Sequence, residues 1–290
     1  MISPTPAYRA FTVFNYILLS LIGVSMLVPF LHILAGSLSS GKAITQGLVS
    51  ILPVQFTLGN YQSVLSDMNI WKSIQVTILI TALGTFINLL FTVLMAYGLS
   101  KVDLKGRSTI MLLVLFTMIF PAPIIPAYLL VKSLAMLNTI WALVIPGAIS
   151  AFNMIIMISF FRGIPEGLTE SAKIDGCGEY RTLWSIVLPL SLPSLSTIGL
   201  FYAVGHWNSY FQALMYIRNP DLYPLQVFLR RLLVESDENM LIRAGQNAAV
   251  QSVEGLKMAS IMVATLPILI VYPLIQKHFV KGSMLGSIKG

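Results

Sequence analysis

Charge is scarce in this chain. Of 290 residues, 18 are Lys or Arg and 11 are Asp or Glu, 10% in all, against 56% hydrophobic. A soluble domain carries about 25% charged residues, so a water-facing surface is hard to build from this composition. Cysteine is nearly missing too. Cys177 stands alone, which excludes an intrachain disulfide and any cysteine-based metal site. The three histidines, His32, His206 and His278, lie far apart in sequence, which leaves a histidine-rich metal site without support. Neither Gly-x-Ser-x-Gly nor His-Glu-x-x-His occurs, so the common hydrolase signatures are missing as well.

Long apolar runs fill the chain instead. Six of them lie at about 11–35, 74–99, 109–131, 139–161, 186–211 and 256–279, each free of Lys, Arg, Asp and Glu over its centre. About 20 apolar residues cross a bilayer as a helix, and these runs lack the alternation of barrel strands. The expected fold is all-α: an integral membrane protein with six transmembrane helices, one domain over 1–290. The first run exceeds the roughly 7–15 residues of a signal-peptide core, which favours a retained span.

Short loops rich in Lys and Arg face the cytoplasm. Lys101, Lys105 and Arg107 crowd loop 100–108, Lys132 is alone in the next turn, and Lys277, Lys281 and Lys289 sit near the end. Both termini and loop 162–185 are therefore expected inside, with segments 36–73 and 212–255 outside. The net charge of +7 reflects this bias. Its residues are scattered between apolar runs, so a nucleic-acid partner is not implied.

Against this background one window stands out. Arg162, Glu166, Glu170, Lys173, Asp175, Glu179 and Arg181 fall within 20 residues, in the loop before the fifth run. Pro165 suits a helix start, early glutamates suit its dipole, and Gly176 and Gly178 suit a left-handed stop. A short helix with Ala172 on its surface is predicted, then a second over about 179–187, with Pro189 and Pro193 shaping the return to the membrane. A plain connector needs only a few residues; this one has the form of a docking element.

Glu170, Ala172, Gly176 and then Ile186-Val187-Leu188-Pro189 resemble the "EAA…G…I-LP" loop of binding-protein-dependent ABC importer permeases. Ser171 replaces the usual second alanine, and Cys177 stands where alanine is common. "PGAISAFNMIIMISFFRGIPEGL" and "IGLFYAVGHWNSYFQALMYI" resemble the carbohydrate branch of that family, among relatives of the maltose permease subunit. The resemblance implies the type I (MetI-like) importer permease fold in a bacterial inner membrane. It implies a loop that docks on a separate ATPase subunit through Glu166, Glu170, Ser171, Ala172, Asp175 and Gly176, none of them catalytic. It also implies a tail, with Ser283, Lys289 and Gly290, reaching the interface between two ATPase subunits. The further partners implied are a second, homologous permease subunit and an extracytoplasmic solute-binding protein. No cofactor is expected on this chain, because ATP and Mg would bind the ATPase subunits. The implied cargo is an oligosaccharide, with uronate-containing fragments of alginate or pectin in view.

"GSLSSGKA", residues 36–43, nearly fits a phosphate-binding loop. It lacks the Ser or Thr that would hold magnesium, and it follows an apolar run rather than a strand. Polar groups at membrane depth are costly and often line a pathway. Asn88, Tyr97, Asn153, His206, Trp207, Asn208 and Tyr210 are the candidates here, since ring faces, amides and hydroxyls suit sugars. The competing account of each is interhelical hydrogen bonding plus an interfacial aromatic belt, with Gly199 and Gly205 allowing close helix approach. Pro121, Pro123 and Pro126 should bend or break the third run. "YPLQVFLRRLL" reads as a short amphipathic helix outside, and with 47–65 it offers a docking surface for the binding protein. A non-sugar cargo is an alternative, and so is an ion-coupled transporter working alone; the latter predicts inverted repeats or intramembrane carboxylates, and no run contains Asp or Glu at its centre.

Overall fold

A computed structural model describes residues 6–234 and 252–286, with side chains except those of 271, 272 and 274–286. In chain order its helices are α1 (Pro6–Ser37), α2 (Gly41–Thr45), α3 (Gly59–Ser66), α4 (Met68–Ser100), α5 (Arg107–Ile119), α6 (Ile124–Ser133), α7 (Trp141–Val144), α8 (Ala151–Arg162), α9 (Glu166–Ile174) and α10 (Glu179–Thr182). A π-helical turn, Leu183–Val187, leads to α11 (Leu188–Leu190), α12 (Leu192–Trp207), α13 (Phe211–Tyr216), α14 (Leu225–Val234) and α15 (Val253–Gly286). One isolated antiparallel bridge, Ser39 to Phe56, is the extended pairing among the described residues.

Among the described residues, three helices are long and apolar enough to cross a membrane: α1, α4 and the Val253–Ile270 part of α15. Counting each bent pair as one span gives up to five. The third run breaks as its prolines require. Phe120 leaves the helical region before Pro121, whose missing N–H and ring cannot continue a helix, and α5 and α6 meet at 114°. The segment Glu179–Leu190 likewise meets α12 at 84°, with Pro189 and Pro193 on either side of the corner at Ser191.

The fourth run differs from the continuous 139–161 expected. Helix α7 ends at Val144, and the 12-residue α8 starts at Ala151. Pro146 and Gly147 lie between, one without an N–H and the other a poor helix former. The backbone groups freed by the break find side chains on neighbouring helices. Gly147 O accepts from Asn88 Nδ2 at 3.3 Å, and Ser150 N–H donates to Tyr202 Oη at 3.0 Å. In an apolar medium such groups must be satisfied within the protein.

Contacts divide the chain into two compact units, Met1–Ile70 with Leu229–Leu266 and Trp71–Phe228 with Pro267–Gly290. In the first, α1 is exposed along most of its length and becomes buried at Ala35–Ser37. There the buried Asn60 donates through Nδ2 to Ser37 O (3.1 Å) and Ser39 O (3.0 Å). Gly255 packs on that amide; an added Cβ would lie 2.8 Å from Asn60 Oδ1. The stretch that nearly fits a phosphate loop is the end of α1 and the start of α2, where Ser40 Oγ caps by accepting from Ala43 N–H.

In the second unit one core joins α4, α8, the π turn and α12 through Val93, Met154, Met157, Leu183 and Ile198. Another joins α4, α7, α13 and α14 through Ile80, Leu143, Ala213, Tyr216 and Val227. The predicted amphipathic helix is α14. It buries Leu225, Val227, Leu229 and Leu232 and exposes Arg230 and Arg231. Its first N–H groups have no intrahelical partner, and Thr77 Oγ1 of α4 accepts from Leu225 N–H at 2.8 Å.

Candidate functional site

Helix α4 is apolar on nearly every face, so each polar residue along it needs a partner. Thr92 Oγ1 meets Tyr202 Oη of α12 at 2.7 Å. One turn away, Asn88 Nδ2 lies 3.1 Å from His206 Nε2. The same NH2 also donates to Gly147 O, so the consistent assignment makes His206 Nε2 the acceptor and places the ring proton on Nδ1. His206 fits because α4 carries Gly84 one turn before Asn88. A methyl group at Gly84 would overlap the imidazole ring. Gly199 also brings α12 close, its Cβ position 3.3 Å from Leu89 Cδ1, whereas Gly205 meets nothing within 4 Å.

These contacts form one wall of an open cavity of about 460 Å³. Asn88, Asn153, His206, Asn208 and Tyr210 all line it, together with Gln212. Among the described residues its lining carries no Asp, Glu, Lys or Arg. Two buried atoms, Asn88 Oδ1 and Ser209 Oγ, have no hydrogen-bond partner among the described residues, and a buried polar atom left so is costly. The wall thus offers amide, imidazole, hydroxyl and aromatic groups, a set suited to a hydroxyl-rich solute. Trp207 is not part of it. One residue after His206, it turns to a separate apolar cavity of about 240 Å³ between α4, α12 and α15. Tyr97, the seventh pathway candidate, lies away from this wall, at the far end of α4.

There the charged window takes shape. Helix α9 starts after Pro165, carries Glu166 in its first turn and Lys173 in its last, and stops at Gly176 with φ +78°. Gly178 has φ −71° and takes no part in the left-handed stop. Glu166, Glu170, Ser171, Asp175 and Gly176 are exposed. Ala172 is not: only 5% of its surface is accessible, because its face of α9 packs on the chain itself. The outward apolar groups are instead Ile174, 86% exposed, and Tyr180, 77% exposed. Sequence reasoning missed both, although two apolar side chains among seven charges were a usable signal.

It also missed the use made of Glu179. Its Oε2 accepts a 2.6 Å hydrogen bond from Tyr97 Oη and lies 3.2 Å from Lys101 Nζ, while Oε1 lies 3.0 Å from Lys173 Nζ. Tyr97 lies in the last turn of α4 and Lys101 directly follows the helix, and the Lys101 ammonium sits 4.5 Å from the centre of the Tyr97 ring. Hydrogen bonding from Tyr97, helped by the two lysines, pulls the Glu179 carboxyl down to about 2 against the opposing effect of burial. Nearby, Arg107 Nε donates to Leu99 O at the end of α4. Of the expected tail contacts, Lys289 and Gly290 lie outside the described residues, and Ser283 is described only as backbone of α15.

Residues 88–283 match the family described as the binding-protein-dependent transport system inner membrane component. Protein LplC of Bacillus subtilis (strain 168) is 46% identical over 99% of this chain and 97% of its own length. The polygalacturonan/rhamnogalacturonan transport system permease protein YtcP of the same organism is 43% identical over 97% of this chain and 99% of its own. In a crystal structure of a bacterial ABC transporter involved in the import of the acidic polysaccharide alginate, one chain matches with a TM-score of 0.91. It is 35% identical and covers 96% of this chain and 100% of that one. The resemblance read from the Glu170 loop is upheld, and the chain belongs to the inner membrane components of binding-protein-dependent transport systems.

Proposed function

We propose that the chain is one of two transmembrane subunits of an ATP-driven importer, and that its cargo is an oligosaccharide containing uronic acid. The observation that carries this is the pairing of two features on one unbroken helix. Near the middle of α4 lies a cavity wall of amide, hydroxyl and ring groups; beside its C-terminal end lies an exposed short helix of the right form to dock on another protein. The chain itself is not an enzyme in this reading. Two ATPase subunits bind ATP and Mg, grip α9 and its neighbours, and their closure drives alternating access by rigid-body movement of packed helices. The docking groups are Glu166, Glu170, Ser171, Asp175 and Gly176, together with the outward Ile174 and Tyr180.

The substrate class rests on relatives whose names specify polygalacturonan, rhamnogalacturonan and alginate transport. The neutral cavity wall is suited to sugar hydroxyls, so the carboxylates of such a cargo are met by other parts of the assembly. A second permease subunit completes the pathway in the bilayer of a bacterial inner membrane, with both termini of this chain in the cytoplasm. A solute-binding protein delivers the cargo from outside. Leu48, Ile51, Leu52 and Phe56 stand exposed in the segment between α2 and α3, which supports that segment as part of its landing surface.

Affinity purification of the tagged chain from its native membrane tests the assembly. An ATPase subunit should co-purify, and hydrolysis should rise with the cargo-loaded binding protein. Purification without an ATPase would favour the transporter that works alone.

A further inference from the structure

Three segments of the cytoplasmic end converge on one carboxylate. Tyr97 comes from the last turn of α4 and Lys101 from the residue just after it, Lys173 from α9, and Glu179 itself opens α10. We infer that Glu179 is a positioning residue that latches α9 to α4, so that displacement of α9 is delivered along α4 to the Asn88–His206 wall of the cavity. The inference rests on the function proposed above and names the route by which that function is coupled.

Three observations favour this route. First, the latch is more than a surface ion pair, which alone would contribute little. The Tyr97 phenol is only 9% exposed and meets Phe161 of α8 edge-on at 6.3 Å between ring centres. Its short bond to an ionised acceptor belongs to the stronger class of hydrogen bonds. Second, α4 runs from Met68 to Ser100 without a break, whereas α5 and α6, α7 and α8, and the segments flanking Ser191 are all interrupted. An unbroken helix transmits an axial or rotational shift that a corner would absorb. Third, the same helix reaches the cavity. Asn88 lies nine residues from Tyr97, about 13.5 Å along the axis at 1.5 Å per residue, and it holds both His206 Nε2 and Gly147 O. A shift of α4 therefore moves the side chain that joins α12 to the break before α8.

The test uses the complete importer in lipid vesicles, with Glu179→Ala, Glu179→Gln and Tyr97→Phe compared with the parent. The readout is sugar accumulated per ATP hydrolysed. Glu179→Ala should lower that ratio by about fivefold or more, the range of a typical allosteric coupling, while the complex still assembles. Glu179→Gln keeps an acceptor for Tyr97 and should retain more of the ratio. Tyr97→Phe combined with Glu179→Ala should be no worse than Glu179→Ala alone, because both act on one link. If the alanine variant does not assemble, the Gln and Phe variants carry the test.

A second readout needs no transport. Spin labels at Leu168 of α9 and Val102 just past α4, both exposed, in a chain with Cys177→Ser report the spacing of α9 and the end of α4. Their distance distribution should be narrow in the parent and broader in Glu179→Ala. No ATP-driven uptake by the parent complex would overturn the function, with the spin labels still deciding the latch. Uptake per ATP and label spacing unchanged in every variant would overturn the latch alone.

Discussion

Gly84 and His206 share one space: the imidazole of α12 lies where any side chain at Gly84 of α4 would have to go. This fit sets how close the two helices come and puts Nε2 within reach of Asn88. Changing Gly84 to Ala should cost about 1–3 kcal/mol, the usual range for overpacking. The cost should shrink in a His206→Ala background, as expected for residues in contact. Thermal unfolding of the purified complex measures both. Equal costs in the two backgrounds would show that the ring does not pack there.

The docking surface is predicted to be the outward side of α9. Ile174→Glu should leave the fold within about 0.5 kcal/mol, as at most exposed sites, yet lose the co-purifying ATPase. Ala172→Glu should act differently. It places a charge at a buried position, which is strongly unfavourable, so unfolding and loss of the partner should appear together. Two variants with the same phenotype would remove the distinction between a face that docks and a face that packs.

The state of the Glu179 carboxyl gives a pH prediction. Its value in the folded chain, about 2, lies below the ordinary 4.5. A group depressed in this way adds stability that is fully present above the ordinary value and is lost as pH falls toward the folded one. Its contribution should therefore persist down to about pH 4.5 and fade between there and about pH 2. Isotope-edited infrared spectra should show an ionised Glu179 at about pH 3.5, where a free glutamate is mostly protonated. Tyr97→Phe should move the transition upward, since Tyr97 is the largest cause of the shift. A transition near 4.5 in the parent chain would contradict the hydrogen-bond geometry.

Asn60 should prove to be the pin of the first unit. It is buried, and it holds the carbonyls of Ser37 and Ser39 at the end of α1. Asn60→Ala leaves both acceptors without that donor, at a cost of about 1–3 kcal/mol, and limited proteolysis between α1 and α3 should accelerate. Unchanged cleavage there would mean that the segment is held by other contacts.

Local features were the legible ones. The prolines at 121 and 123 announced the corner between α5 and α6, and Pro165 and Gly176 framed α9, because each acts on its own backbone. Pro146 and Gly147 carried the same message in the fourth run, but an uninterrupted count of apolar residues concealed it. Relationships across the chain were not legible. Glu179 lies 82 positions from Tyr97, and Asn88 lies 118 from His206; nothing local says that either pair meets. Ala172 shows the third kind of failure. A small residue in a charged helix suits a surface groove and a tight internal contact equally, and only the packing of α9 decides between them. Trp207 was grouped with His206 and Asn208 because they are adjacent in sequence. Consecutive helical residues point about 100° apart, and that separates its cavity from theirs.

The measurement that tests the central claim most directly is uptake of a labelled uronate oligosaccharide into vesicles. They would hold this chain with its partner permease and ATPase subunits, with the loaded binding protein outside. The account predicts accumulation that requires both ATP at the ATPase subunits and the binding protein, and that survives collapse of ion gradients. Accumulation driven by an ion gradient without ATP would contradict it, as would none with every component present.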